Sequence, residues 1–282
     1  MRLYKSRLSR ASILIWGICA VQTMLILSDV WPFSVESRFY HHGLEALTTA
    51  AIVVIAGATW ATLQNQAAHK EMIFSAKLLT YGVLFCAFGD IVNFNLLQHT
   101  YRYDPLIKHD YLIDSIYVFS VGYGLILWSG FLFLKQLSVS KLEVIGVVSA
   151  VSIVTLFSYL QMRLPGTGAY VSILAGFYAL LVAQCASVAL LLLIKATKIK
   201  LTKRYYLPVI GLLLATLADA LIGQFWLFGN QGQGYFPLIR TINWFVYISS
   251  SLLIIQLPWV YHLFVTAQQR DECMQTETLT SD

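Results

Sequence analysis

An all-α membrane protein, a polytopic bundle of eight transmembrane helices, is what this sequence predicts, and three observations carry the prediction. Of the 282 residues, 58% are hydrophobic and only 12% charged, with a mean hydropathy of +0.68, whereas soluble domains run about 25% charged. Eight separate stretches are long enough to cross a hydrocarbon core of about 30 Å, which takes roughly 20 apolar residues in a helix. The lysines and arginines between those stretches alternate in density from one side to the other, as the positive-inside rule requires. The same composition excludes other classes. A net charge of +5, scattered along the chain, is too little for a nucleic-acid surface. With 17 Gly and 6 Pro, neither collagen nor a disordered chain fits. A spanning β-barrel would show short alternating segments in place of these long continuous apolar runs.

The first span, 11–29, follows Arg2, Lys5, Arg7 and Arg10 and so has the charge signature of a signal peptide. Its apolar run from Ala11 to Ser28 exceeds the roughly 7–15 residues of a signal h-region, and no A-x-A-like site follows. Asp29-Val30-Trp31-Pro32 reads as an interfacial exit with an aromatic anchor, so the helix is expected to be permanent. The next spans are expected at 44–64, 75–97, 111–134, 142–161, 170–194, 205–228 and 238–265. They leave no room for a soluble domain. Residues 266–282 form a short polar tail on the inner side.

Placing the N-terminus inside puts thirteen cations on the inner face: Arg2, Lys5, Arg7, Arg10, Lys70, Lys135, Lys141, Lys195, Lys198, Lys200, Lys203, Arg204 and Arg270. Five fall outside: Arg38, Arg102, Lys108, Arg163 and Arg240. Lys77, the nineteenth, is near the inner end of the third span, from which its long side chain can snorkel to the surface. The asymmetry predicts a multi-pass protein of the cell (inner) membrane with both termini cytoplasmic. The five cations of Lys195–Arg204 read as a topology determinant that also attracts anionic lipid headgroups, and a specific lipid or protein docking site is the other reading. Cys19, Cys86 and Cys185 fall within spans and Cys273 in the inner tail, so no disulfide framework is expected.

An internal repeat is legible across the two halves. Gly82 and Asp90 in the third span match Gly211 and Asp219 in the seventh, both at an offset of 129 residues. Asp114 and Ser120 match Asn243 and Ser249 at the same offset. Between them, Tyr103-Asp-Pro-Leu-Ile-Lys108 parallels Tyr235-Phe-Pro-Leu-Ile-Arg240 at an offset of 132, with a three-residue slip on either side. The expected organisation is two parallel four-helix repeats, 1–134 and 135–265, related by an axis along the membrane normal.

A carboxylate within a span costs roughly 2.5–3.5 kcal/mol on insertion scales and needs a reason. Asp90 and Asp219 are at matching depth, below the outer interface, on helix faces of small residues: Gly82, Cys86 and Asp90 in one helix, Gly211, Ala215, Asp219 and Gly223 in the other. Small residues at that spacing allow close helix approach, so both acids are expected to point into the bundle. Asn93, Asn95 and Gln224 continue the polar character outward, and Asp114 and Asn243 enter from the next spans. These seven residues are the candidate ligand-binding set: an outward-facing polar cavity with Tyr101, Tyr103, Tyr111, Tyr117, Tyr123, Tyr235 and Trp244 around its mouth. Two readings of the acids stand side by side. They either lock helices together through hydrogen bonds or serve a binding or catalytic cavity.

His41, His42, His99 and His109 are expected in outer loops beside Glu36, Glu45, Asp104 and Asp110. Without a His pair at helical spacing or an H-E-x-x-H motif, no metal site is predicted, and no mid-membrane His is placed to ligate haem. No cofactor motif appears. Gly229-Asn-Gln-Gly-Gln-Gly234 follows no strand and reads as a turn.

Two families resemble parts of the chain. Phe88-Gly-Asp90 through Asp114-Ser-Ile-Tyr117, and Ala218-Asp219 through Asn243-Trp244, resemble the multi-helix sensor modules that precede diguanylate cyclase or histidine kinase domains in bacteria. That resemblance implies a non-enzymatic module binding a small or lipid-like ligand, with a separate signalling partner on the inner face; unlike those modules, the sequence shows no output domain after Val265. Gly89-Asp90, Ala218-Asp219-Ala220-Leu-Ile and Tyr247-Ile-Ser-Ser-Ser-Leu-Leu-Ile254 resemble segments of the lysoplasmalogenase family, eight-helix membrane hydrolases. That implies Asp90 and Asp219 as catalytic acid and base on a lipid. Where that family has a Lys-Pro pair, Lys77 is followed by Leu78. The functions expected are therefore, in order, a binding or sensing module, an intramembrane lipid hydrolase, and a proton-coupled carrier built from two repeats. A reporter fused after Asp282 should be found on the cytoplasmic side; detection outside the membrane would overturn the topology.

Overall fold

Backbone groups in hydrocarbon find no water, so a long apolar segment satisfies them within itself, as helix. The computed structural model describes residues 2–66, 68–96, 110–199, 203–232 and 238–266, and among these there are helices and no strands. The helices are α1 (Arg2–Leu27), α2 (Arg38–Asn65), α3 (Lys70–Phe94), α4 (Asp110–Gln136), α5 (Lys141–Met162), α6 (Ala169–Ile199), α7 (Tyr206–Leu221), the one-turn α8 (Gly229–Gly232) and α9 (Leu238–Ile254). Eight helices among the described residues are long and apolar enough to cross a membrane. They match the eight expected spans, with earlier starts for the second and third. Tyr101, Tyr103, Tyr235, His99, His109, Cys273, the Tyr103–Lys108 loop motif, residues 235–237 of its counterpart and the 266–282 tail beyond Thr266 lie outside the described residues.

Helix ends follow local chemistry. Asn95 adopts a left-handed conformation (φ 43°, ψ 47°) and stops α3. Arg38 of α2 donates from Nη2 to the Asn95 carbonyl at 2.6 Å and to that of Phe94 at 3.4 Å, covering the open carbonyl end of α3. Ser140 and Glu143 form a capping box at the start of α5, and Glu143 pairs with Lys195 of α6 at 3.3 Å. Pro258 has no N–H to donate to Ile254, four residues back, and α9 ends there. A turn at residues 255–256 leads into a further helical stretch over residues 257–266. At the end of α7 the chain widens into a π-helix over Ile222–Leu227.

The order of packing follows from small residues. A side chain at Gly82 of α3 would put its Cβ 2.8 Å from Ile126 Cγ1 and 3.0 Å from the Gly122 carbonyl of α4. Gly211 of α7 is held as closely by α9, at 2.8 Å from both the Ile254 nitrogen and Leu253 Cβ. Hydroxyl bonds reinforce both seams: Ser75 to Ser129 at 2.7 Å, and Ser250 to the Gly211 carbonyl at 2.9 Å. Elsewhere Trp16 of α1 donates to Ser249 of α9 at 3.0 Å, and Gln184 of α6 to Ser152 of α5 at 3.1 Å. By contrast α5 is peripheral. Leu142, Ile145, Ile153, Phe157 and Leu160 are exposed along it, an apolar surface suited to lipid contact. Lys77 is exposed on α3, with Nζ 5.9 Å over the Trp60 ring.

Gly122→Ala and Gly211→Ala should each lower stability by about 1–3 kcal/mol through overpacking against backbone. Gly57→Ala, whose new Cβ meets nothing closer than 3.8 Å, should not. Thermal unfolding in detergent compares the three.

Candidate functional site

One cavity of about 600 Å³ occupies the bundle between the end of α3 and the π-helical end of α7. The volume is that of a small-molecule site, for which about 300–1,000 Å³ is usual. The sequence places Asp90, Asn93, Asn95, Asp219, Gln224 and Asn243 in one set, and the structure brings all six onto the wall of this cavity. Asp114 does not line it, although its α4 neighbours Leu112 and Ser115 do. Of the aromatic residues expected at the mouth, Trp244 lines the cavity and is buried, as is Tyr123. Tyr117 is exposed and shares a hydrogen bond of 2.8 Å with Tyr170. Nothing is described of the Tyr111 side chain.

The two acids are held in similar ways. Tyr247 of α9 donates to Asp90 Oδ2 at 3.0 Å, and Tyr178 of α6 donates to Asp219 Oδ1 at 2.7 Å. Asp90 is buried and Asp219 half-buried. Neither forms an ion pair with a described residue, so a neutral phenol is the donor each has been given. Aromatic faces surround them: Trp244 and Tyr247 have ring centroids 5.6 Å apart, Phe119 and Tyr247 6.3 Å, Tyr123 and Tyr178 6.1 Å. The Asn93 Oδ1, Asn243 Oδ1 and Trp244 Nε1 atoms are buried on the cavity wall without a hydrogen-bond partner. Buried polar groups normally have partners, so these three atoms mark where the cavity wall can form further hydrogen bonds.

The polar end of the cavity holds a group that sequence reasoning misplaced. His41, His42 and Glu45, expected in an outer loop, are buried in α2, and Arg240, counted among the outer cations, is buried in α9. Arg240 grips Glu45 with both nitrogens, Nη1 to Oε1 at 2.8 Å and Nη2 to Oε2. His42 Nδ1 is 3.0 Å from Glu45 Oε2 and 3.1 Å from Arg240 Nη2, so one tautomer donates to the carboxylate and the other accepts from the arginine. The Phe33 ring covers the guanidinium at 4.2 Å. A bidentate arginine–carboxylate pair fixes geometry as well as charge. The available signal was two opposite charges at the same expected depth, each just inside a span. Phe33 belongs to the segment before α2, where the Ser34 hydroxyl donates to Glu36 at 2.8 Å and holds that exposed carboxyl below its usual range.

The opposite wall is apolar and incomplete. Val154 of α5 and Leu217 of α7 line the cavity and yet are 67% and 48% exposed. The cavity therefore opens sideways between α5 and α7, towards the surface that lipid would cover. Near the π-helix the two helices come together again, where a Cβ at Gly223 would be 3.1 Å from Met162 Cε. π-Helical turns are uncommon and cluster at functional sites, and four residues of this one, Ile222–Phe225, line the cavity. Among the described residues no three His, Cys, Asp or Glu side chains converge as a metal ion would require.

No family model, curated protein or solved structure matches the chain.

Removing either member of the buried pair leaves the other charge unpaired. Glu45→Ala or Arg240→Ala should cost about 3–5 kcal/mol, whereas Glu45→Leu combined with Arg240→Met should recover most of it. Thermal unfolding of the purified variants in detergent measures both.

Proposed function

We propose that this chain is a membrane-embedded binding module, non-enzymatic, whose cavity takes a small amphiphilic or lipid-like ligand and reports its presence to a partner. The observation that supports it best is a single cavity with hydrogen-bonding side chains at one end and a sideways apolar opening at the other. A ligand dissolved in the bilayer could enter between α5 and α7 and present its head to Asp90, Asn93, Asp219 and Asn243. The resemblance to sensor modules agrees with this and adds a signalling partner on the inner face, in a cell (inner) membrane with both termini cytoplasmic.

The module reads as two parallel four-helix repeats. Supporting this, α3 and α4 close on Gly82 as α7 and α9 close on Gly211.

A second reading keeps the same cavity and makes Asp90 and Asp219 the acid and base of an intramembrane lipid hydrolase, in line with the lysoplasmalogenase resemblance. Its support is that both carboxylates border one cavity that opens to lipid.

Native mass spectrometry of the purified protein, with lipid and metabolite profiling of membranes that contain or lack it, separates the two. Binding predicts a small molecule retained by the protein and unaltered lipid pools. Hydrolysis predicts one lipid class depleted and its cleavage product raised. Ala179→Trp, which fills the cavity from α6, should lose the retained molecule; retention by a folded Ala179→Trp protein would contradict the cavity assignment.

A further inference from the structure

Resting on the binding reading, the geometry points to a more specific occupant: we propose that the cavity selects a cationic amphiphile, with an amine or ammonium head between Asp90 and Asp219 and an alkyl chain running out between α5 and α7.

The two arginines on the cavity wall are bonded away from its two aspartates. Arg240 is matched by Glu45 in a bidentate pair and stacked on Phe33. Arg38 is anchored on the carbonyls of Phe94 and Asn95, where its charge offsets the negative end of the α3 dipole. Both cations are thus already committed. Among the described residues, Asp90 accepts from the neutral hydroxyl of Tyr247 and Asp219 from those of Tyr178 and Tyr123, and each carboxylate keeps accepting capacity that these bonds do not use.

Of the three unpartnered wall atoms two are acceptors, and the third, Trp244 Nε1, is a donor. Asn243 is 6% exposed with Oδ1 unpaired, and Asn93 Oδ1 is likewise unpaired, which adds two acceptors to the same wall. An ammonium is a donor with no acceptor, and so fits a site rich in acceptors. The rings of Phe119, Tyr123, Tyr178, Trp244 and Tyr247 line this cavity, and aromatic faces attract cations most strongly where water is excluded. An anionic head would meet two acids and four aromatic or amide oxygens instead, while both arginines are engaged elsewhere.

The test uses the full chain in phosphatidylcholine nanodiscs and three probes of one chain length: dodecylamine, dodecanol and dodecanoate. Equilibrium dialysis against empty nanodiscs removes simple partitioning into lipid. Dodecylamine should be retained about tenfold more tightly than the other two, as expected for a charge-assisted contact out of water. Asp90→Asn and Asp219→Asn should each remove that preference, and Ala179→Trp should abolish retention of all three. The charge series on the unmodified protein decides the question even where an Asn variant does not fold. If dodecanol or dodecanoate is held as tightly as the amine, the cationic selectivity is wrong while the binding module stands. If none of the three is retained above empty nanodiscs, or if a folded Ala179→Trp protein retains them unchanged, the cavity reading fails with it.

Discussion

In a bundle of helices long and apolar enough to cross a membrane, a charge that leaves water must find its opposite within the protein, and here Glu45 and Arg240 do so across 195 residues of sequence. The pair joins α2 to α9, and His42 and Phe33 complete its shell. Coulombic attraction is strong where the dielectric is low, and the cost of losing one partner is correspondingly large. The pair therefore fixes both the rotation of α2 and the depth of α9. Everything at the polar end of the cavity inherits that register. Arg38 lies one helical turn before His42 and reaches the end of α3. Asn243, Trp244 and Tyr247 follow Arg240 along α9 and reach the cavity wall and Asp90.

Close packing and open space are divided between different helices. Where glycine faces glycine or backbone, at Gly82, Gly122 and Gly211, helices approach until no side chain fits. Those seams gain dispersion contact, which is the main attraction available between helices in lipid. Along α5 there is no such seam towards α7, and the gap between them is the side opening of the cavity. The π-helix at the end of α7 adds to the effect. It begins three residues after Asp219 and turns Ile222, Gly223, Gln224 and Phe225 onto the cavity wall. The closely packed pairs, α3 with α4 and α7 with α9, thus adjoin a wall whose residues Val154 and Leu217 are exposed.

A good part of this was legible in the chain, because hydrocarbon imposes simple rules. Length and hydropathy determine eight helices, since an apolar run of that length has no other way to satisfy its backbone. Asp90 and Asp219 could be assigned to the interior from their depth and from the small residues one and two turns before them, because a carboxylate facing lipid is costly. Six of the seven expected polar residues line one cavity for the same reason. The sequence could not by itself assign His42, Glu45 and Arg240. Each sits near the end of an apolar run, where a charge can equally belong to a solvated loop, and only the partner's position distinguishes the two. The tertiary structure decided which charge meets which, that Asp90 is held by Tyr247 and Asp219 by Tyr178, where the π-helix begins, and that the cavity opens between α5 and α7. These depend on how helices far apart in sequence are ordered and rotated around one another. Composition and periodicity constrain each helix separately and carry no information about its neighbours.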